Sequence, residues 1–284
     1  MYKDQIGTRM KTYYEEIPKT RLMRRVPVAI RIDGKAFHTF TRGFQKPFDS
    51  VLMVSMQETM KYLCENIQGC TFGYTQSDEI TLILIDYQKL TSSAWFDYEV
   101  QKMCSIAASM ATLAFNKFFI KNVNCFKTTH EKDNTVNMYC ITLANAIERG
   151  AMFDARCFNI PKEEVANLIY WRQLDAMRNS VQMVGQANFS HRELQNKSCK
   201  DIKNMLLSQK GIDWNSLPED RQRGAACIKL PPKEEVIDIP TATGKPFRMV
   251  TYLSSQFSSW IIDKHMPILK ENWDYINRYI YVGE

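Results

Sequence analysis

The chain has 284 residues, of which 45% are apolar and 24% charged, and its net charge is +6. That balance describes an ordinary folded protein and excludes a mainly disordered one. With 11 glycines and no persistent heptad, it also excludes collagen-like and coiled-coil architectures. The mild positive charge hints at an anionic partner and gains meaning only beside a site. The two longest uncharged runs, Met103–Asn116 and Asn134–Ile147, have 14 residues each, short of the roughly 20 a membrane-spanning helix needs. The N-terminus carries no apolar leader and no cleavage site. The eight cysteines lie at least six residues apart, in neither redox-pair nor zinc-knuckle spacing. These features predict a cytoplasmic protein with free thiols.

In chain order, Pro27–Asp33 reads as a buried strand broken by Gly34. Pro47-Phe48-Asp49-Ser50 then opens a helix, with Asp49 or Ser50 as N-cap and Leu52, Met56, Met60, Leu63 and Ile67 at helical spacing. Phe72–Tyr74 and Ile80–Ile85 are β-rich, and the polar run Thr75–Glu79 between them predicts a hairpin turn. A helix follows over about Tyr98–Phe119, then a strand over Ala151–Ile160, then a long helix begun by Pro161. The order β-α-β-β-α-β-α predicts an α+β fold: a split βαβ, ferredoxin-like antiparallel sheet with helices on one face. Residues 1–160 form this core. Residues 161–284 add a helical and hairpin region: a capping box at Ser190–Glu193, a helix over Cys199–Lys210 ended by Gly211, a hairpin in Thr241–Tyr252 around Thr243-Gly244, and a closing helix over about Pro267–Tyr281.

Two segments carry candidate chemistry. In Arg31–Phe40, Asp33 stands at a strand end and Gly34 allows close backbone approach; the following amides, Lys35 and His38 could cradle a triphosphate. In Gly73–Leu84, Asp78 and Glu79 lie at the hairpin. Taken singly, each is more often an ordinary solvated turn. In the predicted topology the two are neighbours, so Asp33 and Asp78 project from one sheet edge. Paired carboxylates favour a divalent cation, and oxygen-only ligation suits Mg²⁺ on substrate phosphates. Two such ions support nucleotidyl transfer on a polymerase-like palm.

RIDGKAFHTFTRGFQKPFD (residues 31–49), YTQSDEI (74–80), FDAR (153–156) and WRQLDAMRNS (171–180) together resemble the tRNAHis guanylyltransferase family, and more closely its bacterial-type branch; QANFSHRELQNKS (186–198) resembles that branch too. The resemblance covers about residues 5–230. It implies a polymerase-like palm that adds nucleotides to the 5′ end of tRNA in the 3′–5′ direction. The 5′ end, activated by ATP or carrying a triphosphate, is attacked by the 3′-hydroxyl of an incoming nucleotide such as GTP. It further implies that Asp33 and Asp78 hold two Mg²⁺ ions with the Gly34 carbonyl, and that Glu79 supports the metal site. Asp33, Gly34, Lys35, Ala36, Phe37, His38, Ser77 and Asp78 would contact the nucleotide, with Lys46 and Asp49 nearby. The family suggests a homotetramer. Where the eukaryotic guanylyltransferases carry HINN, this chain has Met177-Arg178-Asn179-Ser180, and members without HINN resemble template-dependent end-repair enzymes.

Trp171 is expected in the core. Arg172 and Arg178 are expected in surface ion pairs or on RNA phosphates, and Lys197, Lys200, Lys203 and Lys210 could form a basic helix face for tRNA or a merely solvated one. Two other readings compete: a palm-type nucleotide cyclase, and a tRNA-binding module without catalysis. Clustered acids beside a polyanion argue against the second. Guanylate addition restricted to tRNAHis is a narrower form of the leading reading.

Overall fold

Val28–Gly34 forms a central strand, β1, because both of its faces are covered: Val28, Ile30 and Ile32 are buried on one side and Ala29 on the other. The computed structural model describes residues 4–131, 136–230, 234–239, 247–252 and 259–283. Ahead of β1 lies the exposed helix α1 (Gln5–Met10), and after it the short α2 (Phe37–Phe40) and α3 (Ser50–Asn66). The hairpin β2 (Cys70–Gln76) and β3 (Glu79–Leu84) follows, then α4 (Val100–Thr129), α5 (Asn137–Arg149) and β4 (Phe153–Asn159). The remainder runs through α6 (Lys162–Asn188), α7 (His191–Leu194), α8 (Cys199–Lys210), α9 (Glu219–Arg223) and β5 (Ala225–Lys229). It continues with β6 (Glu234–Ile239), β7 (Phe247–Tyr252), β8 (Trp260–Asp263) and α10 (Asp274–Ile280).

The main sheet has the order β4-β1-β3-β2-β5-β8, and all its pairings are antiparallel. Its first four strands, with α3 and α4 packed on one face, are the predicted split βαβ unit. The C-terminal region continues this sheet through β5 and β8 and covers its second face: α6 and α10 bury Val165, Ile169, Tyr275 and Ile276 against Ala29, Phe72, Tyr74 and Ile83. β6 and β7 pair as a separate hairpin, and the turn predicted at Thr243-Gly244 lies outside the described residues.

The helix predicted to end near Phe119 runs to Thr129, because Phe119 and Val123 continue its buried stripe at i, i+4. By length and composition this helix could cross a bilayer. Its residues Met103, Ala107, Ala111 and Phe115 are instead fully buried against the sheet, as in a core helix. The predicted closing helix is split into a short 3₁₀ turn at Leu269–Glu271 and α10. All eight cysteines are free thiols.

An aromatic cluster joins this core to the loop after β1. Phe37 lies 5.2 Å from Phe153 and 5.6 Å from Phe115, ring centre to ring centre, and Phe40 lies 5.3 Å from Phe119. Burying a phenyl ring stabilises by about 1.5–3 kcal/mol. Phe37 and Phe40 therefore hold the loop that begins at Asp33 rigidly on the sheet.

Candidate active site

The two acidic segments converge where β1 ends and the β2–β3 hairpin turns. Ser77 and Asp78 form the turn, and the Gly34 amide donates to the Asp78 carbonyl at 3.1 Å, tying the loops together. Phe37 folds back over Gly34 so closely that a Cβ there would sit 2.2 Å from the ring; only glycine fits. Ala36 (φ +54°) and Ser77 (φ +52°) are both left-handed without being glycine. Each costs on the order of 1 kcal/mol or more, and strain of this kind gathers at functional sites.

In the sheet register Asp33 stands opposite Glu79 on one side and Asp154 on the other. Burial and then the charges of Glu79 and Asp154 push the Asp33 carboxyl above the usual range. Burial chiefly, with Asp33 and Glu79 adding, pushes Asp78 up as well, against a 3.0 Å hydrogen bond from the Ser77 hydroxyl. Two crowded carboxylates beside the Gly34 carbonyl form a set of hard oxygen donors that fits Mg²⁺. Among the described residues no group of three His, Cys, Asp or Glu side chains forms a metal cage. A cation here would complete its shell with substrate oxygens and water.

Asp33, Gly34, Ala36, Phe37, His38, Lys46, Asp49, Ser77 and Asp78 line one open cleft of about 520 Å³, with Thr41, Phe44, Gln45 and Met183. Lys35 does not line it: its amide donates to the Met152 carbonyl and its side chain is exposed. Asp49 is 5% exposed, and its oxygens are taken by the Leu52 amide (2.9 Å), the Gln45 amide (3.0 Å) and the Tyr139 hydroxyl (2.6 Å). It therefore caps α3, as predicted for this position, and fixes the loop that carries Lys46. Burial and the Asp49 carboxylate push the Tyr139 phenol up, so it remains a donor. Tyr139→Phe should cost about 1.5–3 kcal/mol, as for a hydrogen bond to a charged group, and raise KM for the nucleotide several-fold with kcat little changed. Steady-state kinetics beside a melting curve checks this.

Glu79, expected to support the metal site, stands opposite Asp33 in the sheet register and outside the lining of the cleft. It is 6% exposed and clamped by two arginines: Arg172 bidentately, Nε–Oε1 2.7 Å and Nη2–Oε2 2.8 Å, and Arg31 through Nη2 at 2.8 Å. The surface position expected for Arg172 is corrected. At 7% exposure, and also bound to Asp175 at 3.0 Å, it has no face for RNA phosphate. Arg178 is exposed and pairs with Asp175. Trp171, expected in the core, is 51% exposed, with the Arg31 and Arg172 guanidinium carbons 5.3 and 4.5 Å from its ring centre. The Arg31–Glu79–Arg172 clamp escaped sequence reasoning. The only local signal was the i, i+2 spacing of Arg31 and Asp33, which puts both on one face of β1.

On α8, Lys197 and Lys200 flank the exposed N-terminus, whereas the Lys203 ammonium lies 3.5 Å from the Trp214 ring centre and burial lowers its pKa. Lys210 lies 5.3 Å from the Phe189 ring centre. Lys197→Ala and Lys200→Ala should each flatten the salt dependence of tRNA binding by slightly under one unit. Lys203→Ala should leave that slope nearly unchanged and lower the melting temperature. Binding isotherms at several salt concentrations measure both, and equal slopes for all three variants and the wild type would mean a merely solvated helix face.

A sequence profile of the tRNAHis guanylyltransferase family matches residues 7–161. The chain belongs to this family of nucleotidyltransferases. It is similar to a bacterial tRNAHis guanylyltransferase-like protein solved in complex with ATP, at 35% identity over 98% of this chain and 100% of that one, with a TM-score of 0.74. A bacterial tRNAHis guanylyltransferase-like protein in complex with GTP gives a TM-score of 0.72 at the same identity and coverage. A probable tRNAHis guanylyltransferase of Dictyostelium discoideum is 25% identical, covering 75% of this chain and 79% of its own. The match to the solved pair extends the family likeness past residue 161, through α6 and the sheet additions.

Proposed function

We propose that this chain is a template-dependent 3′–5′ nucleotidyltransferase that adds nucleotides to the 5′ end of tRNA. The observation that carries the reading is the cleft in which Asp33 and Asp78 meet the rigid loop Asp33–His38 and Lys46. Similarity to proteins solved with ATP and GTP and to a probable tRNAHis guanylyltransferase supports nucleoside triphosphates and tRNA as its substrates. Mg²⁺ is the proposed cofactor. Asp33, Asp78 and the Gly34 carbonyl would hold it, and when bound it supplies Lewis-acid stabilisation of phosphoryl charge.

The chain's own groups do the rest. Lys46 and exposed His38 stand where a triphosphate would enter, and Lys46 offers a fixed cation because Asp49 and Tyr139 immobilise its loop. Phe37 and Phe40 hold the reacting edge on the core, so little reorganisation is needed as charge develops. Self-association into the homotetramer that the family suggests is supported by exposed Leu113 and Ile120 on α4 and Met138 and Ile141 on α5.

The departure at Met177–Ser180 motivates template dependence. Incubating 5′-truncated tRNA with each of the four nucleotides, while varying the opposing base, should give additions that follow Watson–Crick pairing. Equal addition of G opposite every base would overturn template dependence, and cyclic product without extension would overturn transfer to tRNA.

A further inference from the structure

α4 and β4 run side by side in opposite directions. The Phe153 amide donates to the Thr112 hydroxyl at 3.2 Å, and further along the strand Cys157 meets Cys104, further back along the helix. From Phe153 to Cys157 the strand advances about 13 Å. From Thr112 to Cys104 the helix covers about 12 Å. The two lengths match, so the packing register of helix on strand brings the thiols together. Their sulfurs lie 3.5 Å apart, with Cys104 donating to Cys157, although 53 positions separate them in the chain. Cys157 reaches the Val100 carbonyl at 3.9 Å. Both residues are half-buried, so a small reagent can reach them. Cys64 also has thiol neighbours, Cys70 and Cys227, but at 2% and 0% exposure Cys64 and Cys227 are closed to a reagent.

We propose that Cys104 and Cys157 are a site of covalent modification, at which a small-molecule disulfide of the glutathione class converts the two thiols into an intramolecular disulfide. Burial and the neighbouring Cys104 push the Cys157 thiol up to about 12, so Cys157 keeps its proton and Cys104 enters first. Cys104 loses its proton to water, and its sulfur attacks one sulfur of the reagent. The reagent's S–S bond breaks, one thiolate leaves and takes up a proton, and a mixed disulfide remains on Cys104. Cys157 then attacks the Cys104 sulfur. The second thiol leaves with the Cys157 proton. Two protein thiols are oxidised and one reagent disulfide is reduced to two thiols. The new bond ties β4 to α4. β4 is an edge strand paired with β1, and its Asp154 stands opposite Asp33, so the cross-link braces the strand beside the acidic edge.

Incubating the full chain, reduced and then freed of reductant, with oxidised glutathione tests this. Peptide mapping by mass spectrometry should join the peptides of Cys104 and Cys157 with the loss of two hydrogens. A glutathione adduct on exposed Cys125 shows that the reagent was active. The bond closes a long loop, so the oxidised chain should melt higher by on the order of 10 °C, and dithiothreitol should reverse the gain. Cys157→Ser should stop with one glutathione held on Cys104, and Cys104→Ser should leave Cys157 unmodified; neither should gain in melting temperature from the cross-link. Should a variant fold poorly, the oxidised and reduced wild type still decide the matter. Free thiols at both positions when Cys125 is fully modified would overturn the proposal. So would a glutathione that stays on Cys104 in the wild type, a cross-link through other cysteines instead, or a cross-linked chain that melts no higher. None of these readouts depends on nucleotidyl transfer.

Discussion

Asp33→Ala and Asp78→Ala are each expected to abolish nucleotidyl transfer while leaving the chain folded. Both carboxyls are held above their ordinary range, by burial first and by neighbouring acids second. A group whose folded pKa is raised contributes stability that is present below its unfolded pKa and lost as pH rises through the folded one. At neutral pH, then, each ionised carboxylate opposes folding, and removing one should leave the melting temperature unchanged or slightly higher when no Mg²⁺ is added. Added Mg²⁺ should raise the melting temperature of the wild type by mass action and that of the variants much less. Activity should move the other way. Losing one of two carboxylates at the reacting edge removes positioning and charge stabilisation together, an effect on the order of 4 kcal/mol in the barrier, or about a thousandfold in rate. This is the common conflict between stability and function at a site. Melting curves and extension assays on each variant, with and without Mg²⁺, decide it. Near-normal turnover by Asp78→Ala, or unfolding of both variants, would remove these residues from the chemistry.

The parts of the site legible in the sequence were those set by local periodicity. Apolar strand runs and the polar run between two of them are enough to bring Asp33 and Asp78 to one edge, because the split βαβ order makes β1 and β3 neighbours. The Asp49 cap was legible for the same reason: its bond to the Leu52 amide spans three residues. Contacts between distant segments were not. Tyr139 lies 90 residues from Asp49, and Arg172 lies 93 from Glu79. Neither spacing leaves a trace in any short window. Trp171 departs from the core expected of a tryptophan because two guanidinium groups cover its ring in place of apolar side chains. Lys203 looked like one of four equivalent lysines until Trp214 came to lie beneath it.

Arg172→Ala should be the most destabilising single change at the site. The wild-type side chain donates to Glu79 from Nε and Nη2 and to Asp175 from Nη2 as well, in a place almost closed to water. Truncation leaves Glu79 buried with Arg31 as its remaining cation, and Asp175 keeps Arg178 and Asn179. Breaking a buried ion pair from one side costs about 3–5 kcal/mol; here Glu79 loses its two-point partner, keeps the single Arg31 contact and cannot regain water. For a chain of this size that lowers the melting temperature by on the order of 10 °C. Arg172→Lys should recover only part of the loss, since an ammonium cannot reproduce the planar two-point contact with both Glu79 oxygens. Glu79→Ala should be comparably severe, in contrast to the aspartate variants, because it strands two guanidinium groups instead of relieving crowded acids. The signature is therefore a split between neighbours: Asp78→Ala folded and inactive, Glu79→Ala and Arg172→Ala unstable, with activity recovered below their lowered melting points. Should Arg172→Ala melt within about 2 °C of the wild type, a margin worth less than about 1 kcal/mol, the clamp contributes little to the fold and Arg172 must be assigned another role.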